Sequence, residues 1–481
     1  MRIHLTIALL IVTALVKSQI AFYNTYASSS FDEGHGLVQL ADSSYLITGS
    51  TASFTGFSDI FVTHLTKNGT FDWSKQFGGE NNDRGRRIFY DDTTGIWCFG
   101  TSNSPGAQSY DFYMANADEF GNQQWETFIG TSDWEYLSDA IRLVNGDFIL
   151  AGQSSGSNSL GDDGYLARVD MSGSIVWEIQ LQTAEDDKLN AIANLNDSVF
   201  VVGGQSFNGD TQAAFLLAFS IDGDTLWHQY YEPLLVGEIH GISIFENEIY
   251  AVGGLTGTGE TKPDLWILRT DSQGNIIYDH LDVRDETAYF SKVQMVGDGR
   301  LYTSLISDSP SFNPFTNGVD FFFMKYHQNL FWNGLSQSFS GVNNDIVHQM
   351  IQTNDNGIAL IGTVSDDRTM DSPGTHITVI KIGPSDEIVP TPTTDQLVSI
   401  KPAESTEISV YPNPFNEYVN INMPAFVNGN FEIIGLDGRI VLNGTLKNNQ
   451  IATERLNDGI YMLKIKMGGE LITKKLLKVS K

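Results

Sequence analysis

An internal repeat of about 50 residues constrains this chain more than any other feature. Tryptophans fall at Trp73, Trp125, Trp177 and Trp227, and Tyr278 and Trp332 continue the series at spacings of 52, 52, 50, 51 and 54 residues. A glycine closing a short apolar run recurs at Gly49, Gly100, Gly152, Gly203, Gly253 and Gly362, with Ser304 in the remaining place. Each unit reads as four strands. Tyr45 to Gly49, Ile96 to Gly100 and Phe148 to Gly152 are apolar runs entered from polar turns such as Ala41 to Ser44 and Val144 to Asp147, the pattern of a hairpin. A later strand opens at Asp59, Asp111, Asp163, Asp264 and Asp320, and a Gly-containing turn (Lys67 to Gly69, Asp118 to Gly121, Met171 to Gly173) leads into the tryptophan strand. The apolar runs are continuous rather than alternating, as in strands covered on both faces, and no stretch keeps a 3.6-residue period. Four strands in one such repeat fit a propeller blade. Phe22 to Tyr26 matches the tryptophan-strand position, yet no such strand follows the last unit at His376 to Ile380. The fold class is therefore all-β: a closed propeller of about seven four-stranded blades, with the N-terminal strand completing the last blade and leaving no open edge.

The two ends of the chain differ from this repeat. Arg2, the apolar stretch Leu5 to Val16 and the small residues Val16 and Ser18 read as a signal peptide over residues 1–18, too short to span a bilayer. No later segment reaches 18 apolar residues, so no transmembrane segment is expected in the mature protein. The propeller is placed at 19–383. A stretch rich in Pro and Thr at 384–406, without apolar period, reads as a linker. From 407 to 481 short strand patterns resume, enough for a small β-sandwich of about seven strands.

Charge separates the same regions. Residues 401–481 carry ten Lys/Arg and eight Asp/Glu, whereas 19–400 carry 16 basic and 50 acidic side chains. A propeller that acidic repels phosphate backbones and anionic lipid, which excludes nucleic acid as a partner class. The single cysteine, Cys98, rules out an intrachain disulfide. It aligns with Ile47, Leu150, Val201, Ala251, Tyr302 and Leu360 in the other units and is expected in the core.

No motif carries a reaction. The aspartate that opens the third strand recurs in five of the seven units, which marks a turn or inter-blade device rather than a catalytic acid. The histidines show no zinc-binding spacing. Glu185 to Asp187, Asp162-Asp163 and Asp366-Asp367 are loop acids. They are candidates for structural calcium but lack the spacing of a dedicated calcium loop, so no cofactor is assigned. Two aromatics stand outside the repeat frame, Trp134 and Tyr136, in a connection where other units carry small or polar residues. They are the candidate ligand-binding residues, suited to stacking on a sugar or gripping a peptide. Phe312 and Phe315 in the insert from Asp308 to Gly318 are of the same kind. The functional expectation is an exported, non-catalytic binding or scaffold protein for an extracellular glycan, peptide or protein. The alternative is a polysaccharide hydrolase or lyase that uses loop carboxylates.

The units resemble a family of bacterial secreted propeller repeats. The match rests on Asp59 to Val62, Asn68-Gly69, Trp73 to Gly79, Asp83-Arg84-Gly85 and Leu46 to Gly49, and it implies the fold without a ligand. The C-terminal region resembles the type IX secretion C-terminal sorting domain. The matching residues are Tyr411-Pro412-Asn413-Pro414, Asp437-Gly438-Arg439, Gly459-Ile460-Tyr461 after Leu456-Asn457-Asp458, and the basic close at Lys474 and Lys475. This resemblance implies delivery by the outer-membrane secretion machinery of a Gram-negative cell, to the surface or the medium.

Overall fold

A computed structural model describes residues 21–479 apart from 28–30, 53–56, 157–160, 182–185, 208–211, 232–235, 258–259, 285–286, 309–319, 331, 340–344, 367–373, 390–395, 398–408, 412–414, 423–429, 436–438, 447–449 and 468–469. The leader read at 1–18 and the insert aromatics Phe312 and Phe315 lie outside the described residues. The chain divides into two compact units, Met1–Ile400 and Lys401–Lys481.

Among the described residues the first unit is a ring of seven sheets; six are antiparallel and ordered from an inner to an outer strand as the chain runs, and the seventh takes its fourth strand from the N-terminal segment and adds a two-residue parallel strand. The inner strands are Asp32–Gln39, Asp83–Asp91, Trp134–Arg142, Asp187–Asn196, Val236–Phe245, Ala288–Met295 and Ile346–Gln352. We number the blades in this order. The second strands are buried on both faces; every residue of Tyr45–Thr51 is buried. Their side chains meet the neighbouring blade: Ile149 and Leu166 of blade 3 share a cluster with Leu189, Phe200, Val202 and Phe215 of blade 4. The core thus lies between blades. Each fully buried Leu, Ile or Phe contributes about 1.5–3 kcal/mol, and a blade gains it only beside another blade.

The expected closure is present. Strand Phe22–Ala27 pairs antiparallel with Gly374–Ile382 as the fourth strand of blade 7, in the register Tyr23 with Ile380 and Tyr26 with Ile377. It also reproduces the work of the tryptophan strands. The turn before those strands holds a residue at positive φ, Leu330 at 65° in blade 6 and a glycine in five blades (Gly69, Gly121, Gly173, Gly223 and Gly274, φ 73–91°). The indole of the preceding blade packs on it: a Cβ at Gly121 would lie 2.6 Å from Trp73 and one at Gly274 2.8 Å from Trp227. The indole N–H of Trp177 donates to the Ile221 carbonyl at 3.0 Å and that of Trp227 to the Ser272 carbonyl at 3.0 Å. Blade 1 presents Gly69 in this way to blade 7, where Phe22 and Asn24 receive it. The Asn24 amide donates to the Gly69 carbonyl at 2.8 Å, and the Tyr26 hydroxyl donates to the same carbonyl, as Tyr231 does to Gly274 at 2.7 Å.

Inner strands carry a bulge in every blade, at His35, Arg86, Ser138, Asn190, His240, Ser291 and His348. The bulge brings a carbonyl over the paired residue of the second strand. A Cβ at Gly152 would collide with the Tyr136 carbonyl and one at Gly253 with that of Glu238, which is why glycine recurs there. In blade 4 the residue in this position is Gly204, paired with Leu189, one place beyond the Gly203 that spacing alone picks out. In blade 6 it is Leu305, paired with Phe290, not Ser304. Equal spacing misses these shifts because register is set by strand pairing, which in blade 4 has a second irregularity between Asn194 and Asn196.

The linker boundary also moves. Residues 383–387 form a turn that follows the third strand of blade 7, with the Gly383 amide on the Glu387 carbonyl at 2.9 Å. Asp386 takes the positive φ of 66° that glycine holds elsewhere. The Lys325 ammonium of blade 6 pairs with Asp386 at 2.5 Å and the Tyr302 hydroxyl donates to it at 2.7 Å. Ile388 and Val389 pack on the cluster between blades 6 and 7. Residues 396–397 pair in parallel with the end of the N-terminal strand. The start of the stretch read as a linker therefore belongs to the ring.

Among the described residues the second unit has seven strands in two sheets, of three and four. Val419, Ile421, Phe431, Ile433, Leu463, Ile465 and Leu476 fill its core.

Candidate functional site

Around the axis, every seam between blades is bridged by a side chain bound to backbone or by an ion pair. The Leu37 amide of blade 1 donates to the Gln349 side chain of blade 7 at 2.7 Å. Arg87 of blade 2 reaches the His35 carbonyl of blade 1 at 3.3 Å and the Asp139 carboxylate of blade 3 at 2.6 Å. Asp139 in turn accepts from the Ile192 amide of blade 4 at 3.2 Å. Asn190 donates to the Ile239 carbonyl at 3.0 Å, Lys292 to the His240 carbonyl at 2.9 Å, and the Gly297 amide to Gln352 at 3.2 Å. Both partners of the Arg87–Asp139 pair are buried, and the carboxylate's backbone donors repay part of its desolvation.

A cavity of about 290 Å³ opens on this axis, lined by His35, Arg86, Arg87, Tyr136, Leu137, Ser138, Gln153, Lys292 and His348. Its floor comes from bulge positions of blades 1, 2, 3 and 7 and the residue after the bulge in blades 2 and 6. The His35 and His348 rings lie 4.1 Å apart. The Arg86 guanidinium approaches His35 Nδ1 at 3.0 Å, so that nitrogen is the acceptor. Burial first, then the neighbouring arginines at His35 and the His35 ring followed by Arg86 at His348, holds both imidazoles well below their ordinary range, in the neutral form. Burial and then the charge of Arg87 push the Lys292 ammonium down to about 8. A second cavity, of about 310 Å³, lies between blades 4, 5 and 6 beside Glu238, His240, Thr256 and Tyr289.

Of the two aromatics singled out by sequence, Tyr136 lines the first cavity. Trp134 is 52 % exposed beside it. Tyr110 joins them, with ring centroids 5.2 Å from Tyr136 and 5.9 Å from Trp134. Sequence reasoning missed Tyr110, Arg86, Lys292 and the two histidines. For all but Tyr110, which precedes the third strand of blade 2, the signal that finds them is divergence at the bulge position and its neighbour, visible only once the register of the inner strands is known.

The repeated aspartates are structural. Asp59 and Asp163 accept from Gln76 and Gln180 of the adjoining fourth strand at 3.0 and 3.1 Å, and Asp264 from the Arg284 amide at 2.7 Å. A second series heads the inner strands. Asp83 accepts from the Gly79 amide at 2.7 Å, and Glu135 accepts from Thr131 and Ser154 hydroxyls at 2.7 and 2.8 Å. Each closes the turn between blades. Cys98 is fully buried, as its alignment predicts. Among the described residues no group of three His, Cys, Asp or Glu side chains is arranged to hold a metal ion. The loop acids Glu185 and Asp367 lie outside the described residues.

In the second unit, Tyr411 pairs with Asn420 and Lys474 and Lys475 pair with Leu463 and Met462. The Tyr461 hydroxyl donates to the Asn457 carbonyl at 2.7 Å, closing the turn that leads into Gly459–Met467. The Arg439 carbonyl accepts from the Gly435 amide at 2.9 Å. Pro412, Asn413, Pro414, Asp437 and Gly438 lie outside the described residues. Lys478 is buried, with its ammonium on the Asn416 and Thr453 carbonyls and over the Phe415 ring.

Comparison with known proteins places residues 409–479 in the family described as the secretion system C-terminal sorting domain. No curated protein matches the chain. Among solved structures, puromycin hydrolase superposes with a TM-score of 0.50 at 12% identity, covering 88% of this chain and 61% of its own. PorZ, a surface component of the type IX secretion system of Porphyromonas gingivalis, gives a TM-score of 0.39 at 9% identity, covering 92% of this chain and 59% of its own. The WD40 domain of Neurospora crassa Pan2 gives 0.44 at 12% identity, covering 76% of this chain and 99% of its own. The chain thus spans less than two thirds of PorZ and of puromycin hydrolase. These likenesses concern the fold. The sorting domain makes this a secreted or cell-surface protein of a Gram-negative bacterium, handled by type IX secretion. No helix among the described residues is long and apolar enough to cross a membrane.

Proposed function

We propose that the chain is a binding protein of the cell surface or medium, and that its ligand, an extracellular glycan or peptide, enters the axial cavity past Tyr110, Trp134 and Tyr136. One observation carries this reading. At the rim the residues that hold the blades together repeat, whereas those that line the cavity differ from blade to blade. A ring needs its packing residues seven times over; a ligand site needs each of its residues once. The cavity lining contains no carboxylate. The acids closest to it are each engaged by a neighbouring side chain: Asp139 by Arg87, Glu135 by Thr131, Glu33 by the His35 ring at 3.2 Å and Asp162 by Gln153 at 2.7 Å, which favours binding over acid–base hydrolysis.

Two measurements test the reading. Cells expressing a chain truncated after residue 400 should retain the propeller, and equal export without the C-terminal unit overturns the delivery half. A glycan and peptide array probed with the purified chain, with and without calcium, should give hits that weaken on Trp134→Ala with Tyr136→Ala. Turnover of any polysaccharide in a parallel hydrolase and lyase screen replaces binding with catalysis. Hits unaffected by the double substitution clear these two residues.

A further inference from the structure

We propose that the axial cavity is an oxyanion site, in which Arg86 and Lys292 grip a carboxylate, sulfate or phosphate group whose carrier lies against Tyr136 and Trp134. This rests on the binding reading and names the chemistry of the group that reaches the cavity floor.

The charge census of the cavity is the starting point. Three cations and two imidazoles line it, without a carboxylate, in a propeller region that holds 50 acids and 16 bases. Among the described residues Arg87 alone of the three cations is ion-paired, with Asp139 at 2.6 Å, and the Glu33 carboxylate stands on the far nitrogen of the His35 ring at 3.2 Å. Arg86 donates to the His35 ring, and its buried Nε has no acceptor. The Lys292 ammonium has three protons to donate and donates to the His240 carbonyl. Two cations with unspent donors therefore face one small volume from blades 2 and 6. Burying like charges together is costly, and an anion between them removes that cost while supplying the missing acceptors.

The fold does not require Arg86 at its position, and it uses only one of the Lys292 donors, on the seam to blade 5. At the Arg86 position the other blades carry His35, Ser138, Asn190, His240, Ser291 and His348, and the seams beside blade 2 are closed by Arg87 rather than by Arg86. At the Lys292 position Gly36, Ala191 and Gly241 are tolerated. A volume of about 290 Å³ suits a small charged head group rather than a folded partner. Tyr136, Ser138 and Gln153 complete the lining with neutral hydrogen-bonding groups.

Binding at this site is coupled to protons. The groups that face Lys292 are Arg86 and Arg87 from blade 2, Asp139 from blade 3, His35 from blade 1, His348 from blade 7 and His240 from blade 5. With the ammonium at about 8, its charge is present at neutral pH and is lost as pH rises through that value. The imidazoles stay neutral throughout. Oxyanion affinity therefore falls on the alkaline side, and a bound anion draws the Lys292 proton more tightly.

The test is calorimetric titration of the purified full chain with sodium sulfate, sodium phosphate, glucuronate and neutral glucose, at about pH 7 and about pH 9. At least one oxyanion should bind with one-to-one stoichiometry, and glucose should not. The strongest of the three identifies the head group. Arg86→Gln and Lys292→Met should each weaken binding about tenfold or more, whereas Lys292→Arg should retain most of it. Thermal unfolding of each variant reports that the ring is intact. Absence of binding by all three oxyanions, or binding unchanged in both charge-removing variants, overturns the oxyanion site. Array hits that are neutral and insensitive to Lys292→Met sink the site while leaving the binding reading in place. Oxyanion binding without any array hit does the reverse.

Discussion

At the rim of the propeller, Trp73, Trp125, Trp177 and Trp227 each meet the turn of the following blade, and Phe22 does the same across the closure. At the axis, the seven bulged positions carry His35, Arg86, Ser138, Asn190, His240, Ser291 and His348. Both regions are seams between the same blades. The rim solves its contact once and repeats the solution, because a glycine turn under an indole works wherever two blades meet. The axis solves each seam differently, through Gln349, Arg87, Asp139, Asn190, Lys292 and Gln352. Variation where repetition would suffice is the mark of a region with a second task.

The comparison breaks most visibly if the closure is removed. Deleting residues 22–27 takes away Phe22, Tyr23 and Tyr26, all buried, and about 6 kcal/mol of apolar burial at about 2 kcal/mol each. That is comparable with the whole stability of a domain. The expected result is loss of a cooperative unfolding transition, by circular dichroism, in all blades rather than in blade 7 alone. A surviving transition at unchanged temperature would show that blades hold without the ring.

The axis should be the more sensitive region to single substitutions. Arg87→Met leaves the Asp139 carboxylate buried without its cation, and denaturant unfolding should show a loss of about 3 kcal/mol or more. Asp139→Leu added to it should restore a large part, since no charge is then stranded. A double variant no more stable than the single one argues that the pair does more than neutralise itself. Gly152→Ala tests the bulge from the opposite side. Its new methyl collides with the Tyr136 carbonyl, so stability should fall by about 2 kcal/mol and ligand affinity should fall with it, because the displaced strand carries Tyr136.

Rim substitutions should cost less and leave binding alone. Trp227→Phe keeps the ring but loses the 3.0 Å hydrogen bond to Ser272, a change of about 1 kcal/mol with unaltered ligand affinity. The smallest stability effect is expected at Trp134, more than half exposed. Trp134→Ala should shift unfolding by no more than about 0.5 kcal/mol while weakening the ligand. A large stability loss there would make Trp134 a packing residue.

The amino-acid sequence by itself determined the blade period, the strand order within a blade, the closing strand at Phe22 to Tyr26, the core position of Cys98 and the sorting domain. Each of these is written in local, repeated patterns: an apolar run, a turn glycine, an indole at a fixed interval. Only the tertiary structure decided the rest. The true bulge partners in blades 4 and 6 are Gly204 and Leu305, because register depends on pairing and not on spacing. Asp386 belongs to blade 7 because Lys325 and Tyr302 of blade 6 reach it across some sixty to eighty residues of chain. The cavity joins His35, Arg86, Tyr136, Lys292 and His348 from five blades. No local pattern links them, because closing a ring brings one position from every repeat to a common axis, and which chemistry meets there depends on residues that the repeat leaves free to differ.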